Sequence, residues 1–302
     1  MKNRRSRIRV TVIASVLAFL LIIWIAAVAY SEAGVIYTVE TSDSSLSDAS
    51  GVPTSVAEKA EKLAEELFGN NKAKHDDFVS QLLAAYTQAK DKDLVVIFNP
   101  GGWGWSSLER STEWESIYYG MEAELADMGY KSLWLNYERT AHNLLGCLNE
   151  LTALATHYSA KAEYLASRAQ FLVDNLPDLE VIIAGESEGA AMSSQVMSLL
   201  DSPRIYCIQT GPPFWYRNGK LERTLVLTDN GIVPDAFSNG DILAMVWGTI
   251  RSLFGLSQPE DASGHVLYYV RAPGHDYQWR YPGVGSAITD FLEQNFEIKN
   301  RG

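Results

Sequence analysis

The chain has 302 residues, 47% of them hydrophobic and 21% charged, enough for one large globular domain with a sizeable core. Its net charge is −12, and −17 once the first nine residues are set aside, so the bulk of the chain repels nucleic acid and anionic headgroups. The two cysteines, Cys147 and Cys207, form no metal-ligand spacing, and a disulfide between them is left open.

Residues 1–9 hold five basic side chains and no acidic one, and residues 10–30 then run without a charge. As a helix the second stretch is about 31 Å long, the thickness of a bilayer core. The basic flank predicts a cytoplasmic N-terminus, with everything after Tyr30 on the far side. The reading is a retained single-pass transmembrane anchor. Its rival is a cleaved signal peptide ending at Ala27-Val28-Ala29, against which the length of the apolar run counts.

Residues 31–53 are rich in Ser, Asp and Gly and read as a flexible linker. Two leading amphipathic helices follow within 54–91, and the remainder, 92–302, alternates strands with helices. Strands are predicted at 93–99, 131–137, 180–185, 204–210, 223–229 and 265–271. Helices are predicted at 112–128, within 142–175, from Glu188 to Leu200, and at 284–296. Near-continuous apolar strands between helices predict an α/β fold, a mostly parallel sheet with helices on both faces. Residues 241–256 are unusually apolar for a connection and read as a packed helix or as a lid over a pocket.

In such a sheet ligands bind beyond the carboxyl ends of the strands, so reactive residues should lie just after strands. Ser187, in "GESEG", meets that condition as a nucleophile candidate. Of five histidines only His275 follows a strand by a short loop; His265 begins the predicted strand 265–271 and is placed at the opposite edge. His275 is therefore the candidate base. The carboxylate that would orient it is Asp229, directly at a strand end, or Asp235, with Asp241 a more distant third. Oxyanion donors are expected from the backbone N–H of Glu188 and from the glycine-rich "NPGGWG", at Gly102 or Trp103. Glu186 and Glu188 bracket the serine and disfavour an anionic substrate; surface solvation is the plainer reading, and for Glu186 a loop-bracing hydrogen bond is another. Trp103, Trp105, Phe214 and Trp215 stand near the expected rim and suit an apolar acyl or alcohol group.

A Gly-x-Ser-x-Gly turn, a glycine-rich loop after an earlier strand and the chain order Ser, Asp, His resemble the α/β-hydrolase superfamily over residues 93–298. "NPGGWG" stands where many lipases and esterases carry His-Gly-Gly-Gly. The resemblance implies a serine hydrolase without cofactor or metal that cleaves an ester, thioester or amide of a small-molecule or lipid-like substrate. The same parts could serve a peptidase, haloperoxidase or lyase. A non-catalytic binding or scaffolding domain is the reading from a different class. An unperturbed histidine base predicts activity rising from about pH 5.5 to 7.5.

Overall fold

A computed structural model describes residues 33–39, 51–216, 221–256, 262–266 and 270–299. Its centre is a six-stranded sheet in the order β1-β3-β2-β4-β5-β6. The strands are β1 (Val35–Thr38), β2 (Leu94–Asn99), β3 (Ser132–Glu138), β4 (Glu180–Glu186), β5 (Ile205–Thr210) and β6 (Thr224–Leu227). β2 to β6 run parallel, and β1 is antiparallel on the edge.

Every residue of β2 and of β5 is buried, as two-sided coverage demands. Alternation along the strands feeds two separate cores. Val95, Ile97, Val181 and Ile183 pack on one face with α5 (Ser159–Asn175) and α6 (Glu188–Ser198). Val96, Phe98, Ile182 and Ala184 pack on the other face with α3 (Thr112–Asp127) and α9 (Gly285–Asn295). The leading helices α1 (Thr54–Phe68) and α2 (Lys72–Ala89) close on each other and on Phe171 of α5. The predicted region 142–175 divides into α4 (Leu144–Ala155) and α5.

Three expectations are corrected. Residues 31–53 were expected as linker throughout, yet Val35–Thr38 is the strand β1, registered from Val35 opposite Glu138 to Thr38 opposite Leu135. Side chains from distant helices fix it: Arg168 donates to the carbonyls of Ala33 (2.9 Å) and Gly34 (3.0 Å), and Gln81 accepts from Ile36 N–H (3.1 Å). Four apolar-leaning residues set in a Ser/Asp-rich stretch leave too short a pattern to read without those partners. Second, 265–271 is no strand of the main sheet. β7 (Gly264–Val266) and β8 (Val270–Ala272) pair with each other, antiparallel, in a separate ribbon. Third, α8 (Ile242–Leu253) is a helix as expected, but of its residues only Met245 is buried. It follows the single turn α7 (Ala236–Asn239) and leans on β8, where Thr249 Oγ1 accepts from Arg271 N–H (3.0 Å).

The anchor expected at 10–30 lies outside the described residues. Among the described residues no helix is long and apolar enough to cross a membrane.

Candidate active site

β4 runs into α6 through one residue, Ser187, whose backbone has φ 51° and ψ −117°. A side-chain-bearing residue reaches this region only under strain, typically about 1–3 kcal/mol. The two flanking glycines show why the turn is so tight. A Cβ on Gly185 would stand 2.7 Å from Ser193 Oγ, and one on Gly189 2.1 Å from the carbonyl oxygen of Asn99. The helix start is thus pressed against both its own strand and the loop after β2. Ser187 N–H donates to Thr210 O (2.8 Å), tying the turn to the end of β5.

His275 Nε2 lies 3.2 Å from Ser187 Oγ, and His275 Nδ1 lies 2.8 Å from Asp235 Oδ2. All three residues are buried. Asp235 also accepts from Tyr277 OH (2.7 Å), Ser238 Oγ (2.9 Å), Phe237 N–H (2.8 Å) and Ser238 N–H (3.1 Å). It caps α7 with one oxygen and holds His275 with the other. Burial alone would raise its pKa, but His275 and the hydrogen bonds from Tyr277 and Ser238 outweigh it and hold the Asp235 carboxyl below the ordinary range.

Asp235, not the favoured Asp229, is therefore the carboxylate on His275. Asp229 turns into its own loop, accepting from Gly231 N–H (2.6 Å) beside a bridge to Pro234. The Asn-Gly pair after it makes a tight turn that brings the chain back, and Asp235 arrives beside His275 on the return. Asp241 caps α8 through Ala244 N–H (2.9 Å).

Burial disfavours charge on the His275 ring, yet Asp235, by charge and hydrogen bond, with Glu113 and Glu188 further off, raises its pKa to about 9. Glu113 is pushed up to about 8 by burial and by the neighbouring Glu186, against the pull of His275. Burial also raises Glu186, against its hydrogen bonds from Gly101 N–H (3.1 Å) and Ser111 Oγ (3.0 Å). Glu186 is the loop brace.

The glycine-rich loop after β2 differs from expectation in one respect. Gly102 N–H donates to the Glu188 carboxylate (2.9 Å) and so is not directed at the open cleft. Trp103 N–H and Glu188 N–H remain as candidate oxyanion donors. The loop is gripped from behind by Arg139, which sequence reasoning missed. Its guanidinium donates to Asn99 Oδ1 (3.0 Å), to Pro100 O and to Gly102 O (2.7 Å). Its Nε donates to Glu150 (2.7 Å), whose other oxygen accepts from Lys161 Nζ (2.7 Å) and Thr140 Oγ1 (2.7 Å). Arg139 directly follows β3 at the carboxyl edge, the same signal that singled out Ser187.

A cleft of about 230 Å³ opens over Ser187 and His275, lined by Trp103, Trp105, Glu113, Glu186 and Arg110 among others. Trp103 and Trp105 stack at 6.0 Å. Phe214 and Trp215 do not line this cleft. Trp215 meets Phe237 edge-on (5.3 Å) and Phe237 meets His275 (5.0 Å), so the pair braces the imidazole from behind. His265, expected at the far edge, lines the cleft because the ribbon returns it there.

No protein-family model and no curated protein matches this chain. Among solved structures, a Trichoderma reesei cutinase in complex with a C11Y4 phosphonate inhibitor is similar over 57% of this chain and 74% of its own, at 12% identity and a TM-score of 0.36. A bromoperoxidase from Bacillus anthracis is similar over 54% of this chain, at 19% identity and a TM-score of 0.25, and the match spans about half (49%) of that protein.

Proposed function

We propose that this chain is a serine hydrolase acting on an ester, thioester or amide, held to a membrane by residues 10–30 with its catalytic domain on the non-cytoplasmic side. The observation that carries the activity is the unbroken chain Ser187–His275–Asp235, set on a strained strand-to-helix turn at the carboxyl edge of the sheet. In the reaction Ser187 Oγ attacks the carbonyl carbon while His275 Nε2 takes the hydroxyl proton. Glu188 N–H and Trp103 N–H stabilise the oxyanion, and the imidazolium returns its proton to the leaving group. Water, activated by the same imidazole, then releases the acyl group. Asp235 fixes the ring so that Nδ1 carries the permanent proton. Glu113, its pKa raised beside the cleft, offers a hydrogen bond to a polar group on the substrate.

Fluorophosphonate labelling of the full-length chain in detergent tests this. Label is expected on the wild type and absent from Ser187→Ala and His275→Ala. A folded wild type that takes no label at any pH up to 9.5 sinks the enzyme reading. In that event the non-catalytic binding domain leads, a reading the Glu188 carboxylate on Gly102 N–H favours. Alkaline carbonate extraction separates a retained anchor, which stays with the membrane, from a cleaved signal, which does not.

A further inference from the structure

Among the described residues, large apolar side chains are exposed in a pattern. On α8 and at its C-cap, Leu243, Val246, Trp247, Ile250 and Phe254 follow the spacing of one helix face, and Leu243, Trp247 and Phe254 are 82%, 62% and 74% exposed. A soluble surface rarely leaves such a stripe uncovered. α8 belongs to the carboxyl edge of the sheet: it follows Asp235 and α7, packs on β8, and its partner strand β7 places His265 in the cleft. The first turn of α4, just beyond the carboxyl end of β3, exposes Leu144 as well (76%). At the opposite edge the connections before the strands expose Lys90, Asp91, Lys131, Asp178 and Asp201.

The course of the chain decides what covers the apolar edge. β1 runs antiparallel to β3, so its first residue, Val35, sits opposite Glu138 at the carboxyl end of β3. The backbone is already fixed at Ala33 and Gly34 by Arg168. Only three steps separate Ala33 from Tyr30, the end of the uncharged run. Three Cα steps reach about 11 Å at most. A domain tethered there presents its carboxyl edge, with the cleft and α8, to the bilayer.

We propose that α8 and the first turn of α4 seat in the surface of a zwitterionic bilayer, and that the acyl substrate of the Ser187 cleft is an ester presented by that bilayer. The substrate clause rests on the hydrolase reading above; the docking clause rests on the anchor at 10–30. A zwitterionic surface is specified because the domain's acidic charge repels an anionic one. An amphipathic helix bearing Trp, Phe and Leu on its outer face is built to lie in the interface plane, and it needs no other occupant.

The test uses the full chain reconstituted in phosphatidylcholine vesicles, with bimane attached at Leu243→Cys or, as a control, at Lys131→Cys, each in a Cys147→Ser background. Doxyl-labelled phosphatidylcholine is expected to quench the 243 probe at least two-fold and leave the 131 probe unchanged. The variant Leu243→Asp/Trp247→Asp should lose at least ten-fold in turnover of a long-chain ester embedded in the bilayer, with hydrolysis of a soluble short-chain ester unchanged. A 243 probe left unquenched in protein that resists carbonate extraction overturns the docking, as does shielding of that probe that depends on protein concentration, the mark of a second copy. Quenching at 243 in a chain that takes no fluorophosphonate supports the docking and overturns the substrate clause, since it is the hydrolase reading that then fails. Equal loss on both esters overturns the substrate clause while the enzyme reading stands.

Discussion

Two carboxylates six residues apart, Asp229 and Asp235, behave oppositely, and the difference should be measurable. Asp235→Asn leaves the shape of the site but removes the charge and the acceptor on Nδ1, for which a loss in kcat on the order of 10³–10⁴ is expected. Asp229→Asn should leave kcat within about two-fold, because Asp229 serves only its own turn. The pH dependence follows from His275. Its raised pKa, about 9, means that the neutral base accumulates only as the pH climbs through that value. The kcat/KM of the wild type should therefore rise towards about pH 9 rather than level off near 7.5. Glu188→Gln removes one of the anions that favour the imidazolium, so the midpoint should move to lower pH; a midpoint that stays put would clear Glu188 of that influence. Ser187 and His275 were legible in the sequence because each follows a strand by a short connection. The correct aspartate was not, since proximity along the chain favours Asp229 while the return of the 229–234 loop favours Asp235. A pKa set by three carboxyl groups from separate elements, Asp235, Glu113 and Glu188, leaves no trace in any one stretch of sequence.

At the scale of elements, the loop that carries Gly101 to Gly104 is held between two kinds of charge. Carboxylates of Glu186 and Glu188 accept its N–H groups from the front, and the Arg139 guanidinium collects its carbonyls from behind. Arg139 is fully buried and is balanced by Glu150, which Lys161 shares. Removing one member of such a set strands the others' charge: Glu150→Gln should cost about 3–5 kcal/mol by urea unfolding. Gly189→Ala should be of similar severity by a different route, because its Cβ would meet Asn99 O and Pro100 O within 2.6 Å. The strands β2 to β5 and most helices could be read directly, their apolar runs being long and continuous. β1, β7 and β8 could not: four, three and three residues give too little periodicity, and pairing partners far along the chain decide them. α8 was readable as apolar, and its lack of cover was not, because exposure is a property of what fails to pack against it.

Across the whole molecule, the feature with the widest reach is the pinning of the first described residues by one side chain. Arg168 lies 134 positions after Gly34, and the strand that β1 joins lies about a hundred positions after it. Contacts so distant in the chain are slow to close, and synthesis runs from the N-terminus. β3 and α5 must therefore be made before β1 has anywhere to go, so β1 waits for partners about a hundred residues further on. Undocking it should likewise be the lowest-energy opening of that sheet: amides of β1 are expected to exchange with deuterium well ahead of those of β2 and β4. Until that step is complete Val35–Thr38 is unpaired chain rather than sheet, so under the anchoring proposed for residues 10–30 a nascent protein would be leashed loosely and a finished one held close. Under the same proposal, assembly of the edge strand would also be the event that shortens the leash and draws the folded body against its support.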